Sequence, residues 1–444
     1  MIGKKRRYKK IDFRLNRIQI VQLCFCIFFL ASCKSGPFNL LKPASPHQEY
    51  ERRLINAGLN QTTMGTMWIN NAQQSLLKAL PIKLPYQENG YFSAEKVDAA
   101  AFRFNLVRGQ KLQVKITKKP SDGFMIYADV WESTETANFK LLGSGDTLSN
   151  SIQLDADKSG IYVLRLQPEL LGSGEYTLEI TTGPSLNYPL KAVNKNQIQS
   201  FWGVGRDNNT RRHEGIDIFA PFRTPVIAVS PGRVTGVNTN NLGGKVVWFR
   251  PEGKEYTLYY AHLDEQNVTE GQTVNYGDTL GRMGDTGNAQ GGPPHLHFGI
   301  YTSGGAIDPL PFINPTIENV PKIVTSLANL NTTMRTSSPS NLDDFNLKIG
   351  TTLRVLAAAG SNYRIELPDG KTGYLAGKTL TTVSKPLTKL KIKTPQSLFD
   401  KPKPDAAVKL DLKEGQTVDV LGNYGDYQLV SSENNVIGWL KTNI

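Results

Sequence analysis

The chain has 444 residues, of which 51 are Lys or Arg and 39 are Asp or Glu, and its formal net charge is +12 at pH 7. This length is too great for one hydrophobic core, so several domains are expected. Residues 1–32 contain eight of the basic residues and one Asp, a net charge of +7, which leaves only +5 for the rest of the chain. Such mild basicity gives no argument for a nucleic-acid-binding protein, but it is compatible with an anionic polymer as a partner.

Residues 1–32 have the order of a secretory signal, with basic residues ahead of the apolar run IQIVQLCFCIFFLAS (18–32). About 15 residues are fewer than the roughly 20 that a bilayer-spanning helix needs. The sequence LASC (30–33) resembles the lipobox of bacterial lipoprotein precursors, which implies cleavage before Cys33 and lipidation of that cysteine. We therefore expect a membrane-anchored lipoprotein of the cell envelope, with an uncleaved anchor and an ordinary signal peptide as alternatives. Lys34 fits the outer membrane, facing the periplasm, of a two-membraned bacterium.

The three cysteines restrict the chemistry available to a metal site. Cys24 and Cys26 lie in the apolar run and Cys33 would be lipidated, so no disulfide is expected and metal ligands must be His or carboxylate. Residues 33–46 are mostly polar and Pro-rich, which is typical of a tether that holds a folded body away from a membrane.

Residues 47–84 are predicted to form a helical segment. Their apolar positions recur mostly at intervals of three to five, which indicates one or two helices with a break at the polar GLNQTTMG. These positions are Leu54, Leu59, Met64, Trp68, Ala72, Leu76, Leu77 and Leu80. We interpret this face as one that packs against the next domain.

Residues 85–183 change to a period of two, with Gly, Asp and Ser turns between the alternating runs. Short alternating strands of this kind predict an antiparallel β-sandwich. The runs are Phe102/Phe104/Leu106, Leu112/Val114/Ile116, Tyr162/Leu164/Leu166 and Tyr176/Leu178/Ile180. The stretch GIYVLRLQPELLGSGEYTLEI also resembles the pre-peptidase sandwiches found beside secreted proteases, which implies a spacing or binding role.

Four of the five histidines of the chain lie in residues 200–313, and this clustering indicates a site rather than packing. They are His213, His262, His295 and His297. In a strand HLHFGIY (295–301), alternate side chains share a face, so the two histidines point one way while Leu, Phe and Ile point the other. We therefore expect both imidazoles in one cleft above an apolar core.

The motif RRHEGID offers a histidine and a carboxylate four residues apart, His213 and Asp217. In a straight strand their Cα atoms would lie about 13 Å apart, too far to share a metal ion with bonds near 2.1 Å, so we expect a bend at Gly215. The stretch YTLYYAHL alternates like a strand and predicts that Tyr260 shares a face with His262. Spacing alone does not decide which histidine of HLH would bind a metal.

A set of three His and carboxylate ligands, with a fourth position open to water, describes a catalytic zinc site. Together these motifs resemble the zinc endopeptidases of the lysostaphin and LytM type. The matching elements are H-x3-D at His213 and Asp217, AHL at His262, H-x-H at His295 and His297, and IDP at 307–309. The resemblance implies that His213, Asp217 and His297 bind one zinc ion. It also implies that His262 and His295 activate the water and stabilise the transition state.

An internal repeat follows the histidine-rich segment. The matching pairs are GTTLRVL (350–356) with GQTVDVL (415–421), and GYL (373–375) with GWL (438–440). Two copies of an all-β unit are therefore predicted, at 323–384 and 388–444. Each resembles a bacterial SH3-like barrel, which implies a grip on peptidoglycan, and packing against the neighbouring domain is the alternative.

The predicted fold is mainly β and multidomain, with a helical segment, a β-sandwich, a lysostaphin-like β-sheet peptidase domain and two SH3-like barrels. The predicted function is a zinc-dependent endopeptidase that hydrolyses peptide crosslinks or stems of peptidoglycan, anchored to the envelope by a lipid. A catalytically silent wall-binding or activating lipoprotein and a secreted protease of Gly-rich proteins are the alternatives. Glu214 is interpreted as a solvated carboxylate, since the HExxH pattern is absent.

Overall fold

The computed structural model describes residues 43–134, 138–146, 151–206 and 208–442. The predicted signal, the lipidation site Cys33 and most of the predicted tether lie outside these ranges. The described chain is mainly β with short helices at its start, as predicted. In the part of the chain that is described, none of the helices has the length and apolarity that crossing a bilayer requires.

The first helix, α1 (Pro46–Asn56), begins at a capping box. The Ser45 hydroxyl accepts a hydrogen bond from the Gln48 backbone, and the Gln48 side chain accepts one from the Ser45 backbone, which satisfies two otherwise unpaired donors. A 3-10 turn (Leu59–Gln61) separates α1 from α2 (Thr63–Leu77). The break predicted at GLNQTTMG is therefore confirmed.

The two helices pack against the following sheet through an aromatic cluster. Trp68 is 1% exposed and donates its indole N–H to the Pro168 carbonyl at 2.8 Å. His47, the one histidine outside 200–313, stacks on Trp68 with ring centroids 4.5 Å apart and contacts Gln167 Oε1 at 2.6 Å. Burial lowers the pKa of His47 to about 4, so this imidazole is a neutral structural group near pH 7.

The strands that follow α2 form two sheets around one apolar core. They are β1 (Leu80–Pro81), β2 (Tyr86–Phe92), β3 (Ala100–Leu106), β4 (Gln110–Lys119), β5 (Ile126–Ser133), β6 (Phe139–Ser144), β7 (Ser151–Asp155), β8 (Gly160–Pro168) and β9 (Gly174–Pro184). One sheet has the order β1-β3-β8-β5-β6, and the other contains β2-β9-β4-β7. The alternating apolar residues predicted from the sequence face each other between the sheets, as Phe102, Leu112, Leu164 and Ile180, all 0% exposed, illustrate.

The segment that carries the clustered histidines forms a further large sheet and a small two-stranded one. Its strands are β10 (Ile198–Ser200), β11 (Gly205–Arg206), β12 (Arg211–Arg212), β13 (Ile216–Phe219), β14 (Pro225–Ile227), β15 (Gly232–Asn240), β16 (Gly244–Pro251), β17 (Thr257–Gln266), β18 (Thr273–Val274), β19 (Thr279–Met283), β20 (His295–Thr302) and β21 (Gly305–Ile307). The main path runs β10-β13-β20-β17-β16-β15-β18, while β11 and β12 form a separate hairpin. A short helix, α3 (Leu310–Ile313), packs onto the core of this sheet.

The C-terminal strands preserve the internal repeat. They are β22 (Thr333–Thr336), β23 (Ser340–Leu342), β24 (Phe345–Leu347), β25 (Thr352–Ala359), β26 (Asn362–Glu366), β27 (Thr372–Ala376), β28 (Leu380–Thr382), β29 (Thr388–Lys391), β30 (Gln396–Phe399), β31 (Val408–Leu412), β32 (Thr417–Tyr424), β33 (Tyr427–Ser431) and β34 (Ile437–Lys441). Strands β25, β26 and β27 match β32, β33 and β34 in length and in order. The last six strands form one sheet, β29-β32-β33-β34-β30-β31.

Within the first repeat unit β23 and β24 form a two-stranded sheet, but the longer strands β25, β26 and β27 belong to a sheet that extends beyond the unit. Strand β25 pairs with β2 of the preceding double sheet, at Asn89↔Ala358 and Gly90↔Ala357, so one sheet runs β27-β26-β25-β2-β9-β4-β7. Among the described residues, the sheet that contains β25, β26 and β27 is therefore continuous with a sheet of the preceding segment. The two SH3-like barrels stay a prediction. The common sheet makes the first repeat unit and the predicted sandwich one hydrogen-bonded structure.

A buried ion pair lies at this junction. Glu88 on β2 is 0% exposed, and Arg364 on β26 approaches its two carboxylate oxygens at 3.2 Å each. The hydroxyls of Tyr86 and Tyr176 donate to the same carboxylate at 2.6 Å, and Tyr374 on β27 contacts the Tyr86 hydroxyl at 2.7 Å. The carboxylate is fully hydrogen-bonded, so its charge is compensated inside the protein.

Replacing Arg364 by Ala should destabilise the protein strongly, because the Glu88 carboxylate would remain buried without its cation. We expect a loss of about 3–5 kcal/mol in the free energy of unfolding, measured by urea denaturation with tyrosine and tryptophan fluorescence. The matched control is Arg354→Ala on β25, which removes an exposed hydrogen bond to Asn331 and should cost less than about 1 kcal/mol. Equal losses in the two variants would contradict this account of the junction.

Candidate active site

All five site residues predicted from the sequence line one cleft of about 520 Å³. The cleft opens over the sheet that contains β13, β17 and β20, and the five residues are His213, Asp217, His262, His295 and His297. An arrangement of four imidazoles and one carboxylate in a single cleft can bind a metal ion and still leave groups that transfer protons.

The pairing of β13 with β20 determines where two of these side chains stand. In this antiparallel pair Asp217 lies directly opposite His297. Leu296, Phe298 and Ile300 of β20 are 0% exposed and pack into the core, so the alternate residues face the cleft. The predicted division of HLHFGIY into a histidine face and an apolar face is therefore confirmed.

His213 reaches the same point from a bend between β12 and β13. Its backbone exchanges hydrogen bonds with Val204 and Gly203, at 2.8 and 2.9 Å, which anchors the residue before the strand starts. A Cβ atom on Gly215 would lie 2.7 Å from the His297 ring and 2.6 Å from the Phe298 carbonyl. Glycine at position 215 thus gives the bend the room it needs next to the second histidine.

The three predicted metal ligands form a close triangle. His213 Nε2 lies 3.1 Å from Asp217 Oδ1 and 3.0 Å from His297 Nδ1, and His297 Nδ1 lies 3.1 Å from Asp217 Oδ1. A point that is about 2 Å from all three atoms lies just off the plane of the triangle. This distance is the length of zinc bonds to nitrogen and oxygen. Among the described residues, these three form the group of His, Cys, Asp and Glu able to hold a metal ion.

The protonation states of the triangle suit a metal. Burial opposes ionisation of Asp217, but hydrogen bonds and attraction to His213 and His297 outweigh it and hold the carboxyl pKa well below its usual range. Burial lowers the pKa of His297, which favours the neutral imidazole. His213 Nδ1 lies 2.9 Å from the Phe201 carbonyl, which can only accept, so Nδ1 is a donor to the backbone and Nε2 is the ring nitrogen that faces the site.

The other two histidines lie beside the triangle. His262 and His295 have ring centroids 4.9 Å apart, and His295 Nε2 lies 4.0 Å from Asp217 Oδ1. Their Nδ1 atoms contact the carbonyls of Thr286 and Pro293 at 2.8 and 2.9 Å, so both nitrogens are donors and Nε2 is left to take up a proton. Burial lowers the pKa of His262 to about 4, so this imidazole is neutral near pH 7 and its Nε2 is unprotonated.

A bulge in β17 changes which tyrosine accompanies His262. The pairing register of β17 shifts between Leu263 and Tyr260, and His262 has a left-handed backbone with φ of 63°. Tyr260 is 0% exposed in the core, whereas Tyr259 lines the cleft. The expectation that Tyr260 shares a face with His262 is wrong, because the inserted residue reverses the alternation.

Several cleft residues were not predicted from the sequence as a group, although the alternation of HLHFGIY places Tyr301 on the face of the two histidines. Trp248, Tyr259 and Tyr301 form an aromatic wall, with centroids 4.4 to 5.9 Å apart. Glu214 is exposed at its edge, accepts a hydrogen bond from the Tyr301 hydroxyl at 3.2 Å and lies outside the metal-binding group. Arg206 contacts Asp217 from the side away from the histidines. The residues of the wall lie on β16, β17 and β20, so no local pattern could have linked them.

Comparison with known proteins is consistent with this geometry. Residues 211–309 match the model of Peptidase family M23. The chain is 34% identical over 138 residues to L-Ala--D-Glu endopeptidase of Bacillus subtilis (28% of this chain, 42% of the relative). It is 35% identical over 140 residues to peptidoglycan DD-endopeptidase ShyC of Vibrio cholerae (29% and 32%) and 33% identical over 111 residues to lysostaphin of Staphylococcus simulans (24% and 22%).

The chain spans less than half the length of each of these relatives, and the shared part coincides with the histidine-rich sheet. The matched segment contains the triangle of ligands and both neighbouring histidines. Residues 211–309 are therefore similar to Peptidase family M23, and this segment contains His213, Asp217 and His297, the group that could hold a metal ion.

Proposed function

We propose that the protein is a zinc-dependent endopeptidase that hydrolyses peptide crosslinks or stems of peptidoglycan. The observation that carries this proposal is the His213–Asp217–His297 triangle, with its ligand atoms within 4.8 Å of one another in an open cleft beside two further histidines. The names of two relatives support the substrate, since one is a peptidoglycan DD-endopeptidase and another an L-Ala--D-Glu endopeptidase.

Zinc suits the donor set better than other common ions. Two imidazole nitrogens and one carboxylate oxygen, with no thiolate, are the ligands of catalytic zinc sites that keep a position open. One zinc ion per chain would polarise the substrate carbonyl and lower the pKa of a water molecule to about 7. The anionic Asp217 and the outward proton of His213 Nδ1 supply the protonation states that such a ligand set requires.

His262 and His295 have the positions and backbone hydrogen-bond partners that suit proton-transfer groups. Each holds its Nδ1 proton on a backbone carbonyl, which orients the ring and leaves Nε2 to receive a proton and return it to the leaving amine. Neither belongs to the metal-binding group. We assign the activation of water and the stabilisation of the transition state to these two residues together.

The remaining predicted parts would place this chemistry on the cell wall. We propose that lipid on Cys33 anchors the protein in the envelope, in an outer membrane with the body facing the periplasm, and that residues 33–46 act as a tether. The predicted sandwich (85–183) and the predicted SH3-like barrels (323–384 and 388–444) would bind or orient peptidoglycan. The peptidase part would then act on the adjacent wall.

The complete ligand set distinguishes this proposal from a catalytically silent wall-binding or activating lipoprotein. A silent domain has no need of three ligands at metal-binding distance with a carboxylate kept ionised among them. A protease that cleaves Gly-rich proteins would use the same metal centre. That alternative is therefore distinguished from the proposed activity by which substrate is cleaved.

The central test is digestion of purified sacculi by the zinc-loaded protein. We expect release of peptide-containing fragments, identified by mass spectrometry. His297→Ala should lose both the zinc, measured by elemental analysis, and the hydrolysis, because one vertex of the triangle disappears. Arg212→Gln, an exposed change on β12, should retain both. A metal-free His297→Ala protein with full activity would refute the metal assignment, and cleavage of polyglycine without cleavage of sacculi would refute the substrate.

Replacing His262 or His295 by Ala should separate chemistry from metal binding. Each variant should keep its zinc and lose about 100- to 10,000-fold in kcat, the usual contribution of a proton-transfer group. Elemental analysis and the rate of fragment release are the two measurements. The control is Tyr260→Phe, which alters a buried hydroxyl in the core and should leave kcat almost unchanged. Loss of zinc in either histidine variant would place that residue among the ligands instead.

The lipid anchor is tested by Cys33→Ala. Each buried acyl CH2 contributes about 0.8 kcal/mol to membrane attachment, so loss of several chains should move the protein from the membrane to the soluble fraction. Incorporation of labelled palmitate and cell fractionation measure the two effects, with Cys24→Ala as the control that keeps both. Membrane attachment that persists in the Cys33→Ala protein would count against the anchor.

A further inference from the structure

The two carboxylate oxygens of Asp217 have different partners. Oδ1 lies 3.1 Å from both His213 Nε2 and His297 Nδ1, inside the metal-binding triangle. Oδ2 accepts a hydrogen bond of 2.6 Å from Arg206 Nη2 on the opposite side. The Asp217 side chain is 8% exposed and that of Arg206 is 33% exposed, so the ion pair is buried at the carboxylate and reaches water at the guanidinium.

The same guanidinium nitrogen also connects to the second metal ligand. Arg206 Nη2 donates to Ser200 Oγ at 2.7 Å, and Ser200 Oγ lies 3.3 Å from His213 Nδ1. Ser200 is paired with Asp217 across β10 and β13. Arg206 therefore lies behind two of the three residues of the triangle, outside the position where an ion would bind.

The local backbone keeps Arg206 in this place. Strands β11 and β12 form a hairpin in which Arg206 pairs with Arg211 and Gly205 pairs with Arg212. A Cβ atom on Gly205 would lie 1.7 Å from Asn209 Oδ1, so glycine at this position leaves room for the Asn209 side chain against the hairpin. The hairpin ends next to His213, so its geometry determines the approach of Arg206 to Asp217.

We propose that Arg206 is a positioning residue of the metal centre, which holds Asp217 Oδ2 so that Oδ1 faces the two histidines before any ion binds. This inference rests on the proposed metal-dependent function. It concerns a residue outside the ligand set and outside the pair of proton-transfer histidines. Ser200 accepts a hydrogen bond from Arg206 and lies next to His213 Nδ1, so it links Arg206 to this second ligand.

Arg206 has two opposing effects on metal binding. Its positive charge repels a cation, but the guanidinium is one-third exposed, and water and salt screen that repulsion. Its charge-assisted hydrogen bond fixes a carboxylate that is almost fully buried, where orientation is held without competition from water. Partners of this kind behind a ligand are typically worth about 10- to 100-fold in metal affinity, so the orienting effect should exceed the repulsion.

Arg206 also lines the cleft, which permits a second role in binding a substrate carboxylate. The two roles predict different effects on KM and on metal affinity. A substrate-binding arginine changes KM and leaves metal affinity unchanged, whereas a positioning arginine changes the metal centre even when no substrate is present. The test therefore uses the full-length protein and the metal alone.

Zinc affinity is measured by competition with a chelator, and the visible absorption spectrum of the Co²⁺-substituted protein reports the geometry around the ion. Arg206→Gln should bind zinc about 10- to 100-fold more weakly than the wild type and should change the Co²⁺ spectrum. Arg206→Lys keeps the charge and one donor group, so its zinc affinity should lie between that of the wild type and that of Arg206→Gln. Arg212→Gln, on the same hairpin and exposed, should match the wild type in both measurements.

Thermal unfolding of the metal-free proteins separates positioning from general stability. A weaker metal affinity at an unchanged melting temperature supports the inference, and if Arg206→Gln is destabilised, Arg206→Lys and Ser200→Ala provide the same comparison. Wild-type zinc affinity and an unchanged Co²⁺ spectrum in Arg206→Gln, with only KM raised, would overturn the inference and leave the proposed function intact. Failure of the wild type itself to bind zinc would overturn both.

Discussion

The register between β13 and β20 is the constraint on which the site depends. It places Asp217 opposite His297, and a slip of one residue would turn one of the two side chains toward the opposite face of the sheet. What prevents the slip is apolar burial: Ile216, Ile218 and Phe298 are 0% exposed on the core face. The hydrophobic core beneath the sheet thus holds the polar ligands in place above it, although none of its residues contacts a metal.

A second constraint is the bulge at His262. A left-handed backbone at a residue other than glycine costs on the order of 1–3 kcal/mol, and here hydrogen bonds from the His262 N–H to Gly243 and from Nδ1 to Thr286 offset it. The two loops that supply these carbonyls approach so closely that a Cβ atom on Gly287 would lie 2.3 Å from the Gly244 nitrogen. Glycines in the loops therefore allow the strained histidine to stand next to His295.

The sheet that carries the candidate site, the double sheet before it and the first repeat unit are connected by side-chain contacts as well as by the chain itself. Lys254 binds Asp155 at 2.8 Å between the peptidase sheet and β7, and the Glu88–Arg364 pair joins β2 to the first repeat unit. The Glu88–Arg364 pair is buried, so it costs desolvation and returns little net stability, but it specifies one geometry because its lone pairs are satisfied. The Lys254–Asp155 pair is about one-quarter exposed and contributes mainly orientation. The contacts therefore hold the double sheet and the first repeat unit in fixed positions relative to the cleft.

The sequence by itself determined the mainly β composition, the helices before the first sheet and the five residues of the candidate site. It could do so because period-two burial is a local property, and because His213, Asp217, His262, His295 and His297 stand in short motifs with distinctive spacing. Only the tertiary structure decided that a bulge replaces Tyr260 by Tyr259 in the cleft, that β25 joins β2, and that Arg206 supports Asp217. Each of these is a contact between different strands or a break in local periodicity, and neither leaves a repeating pattern in the sequence.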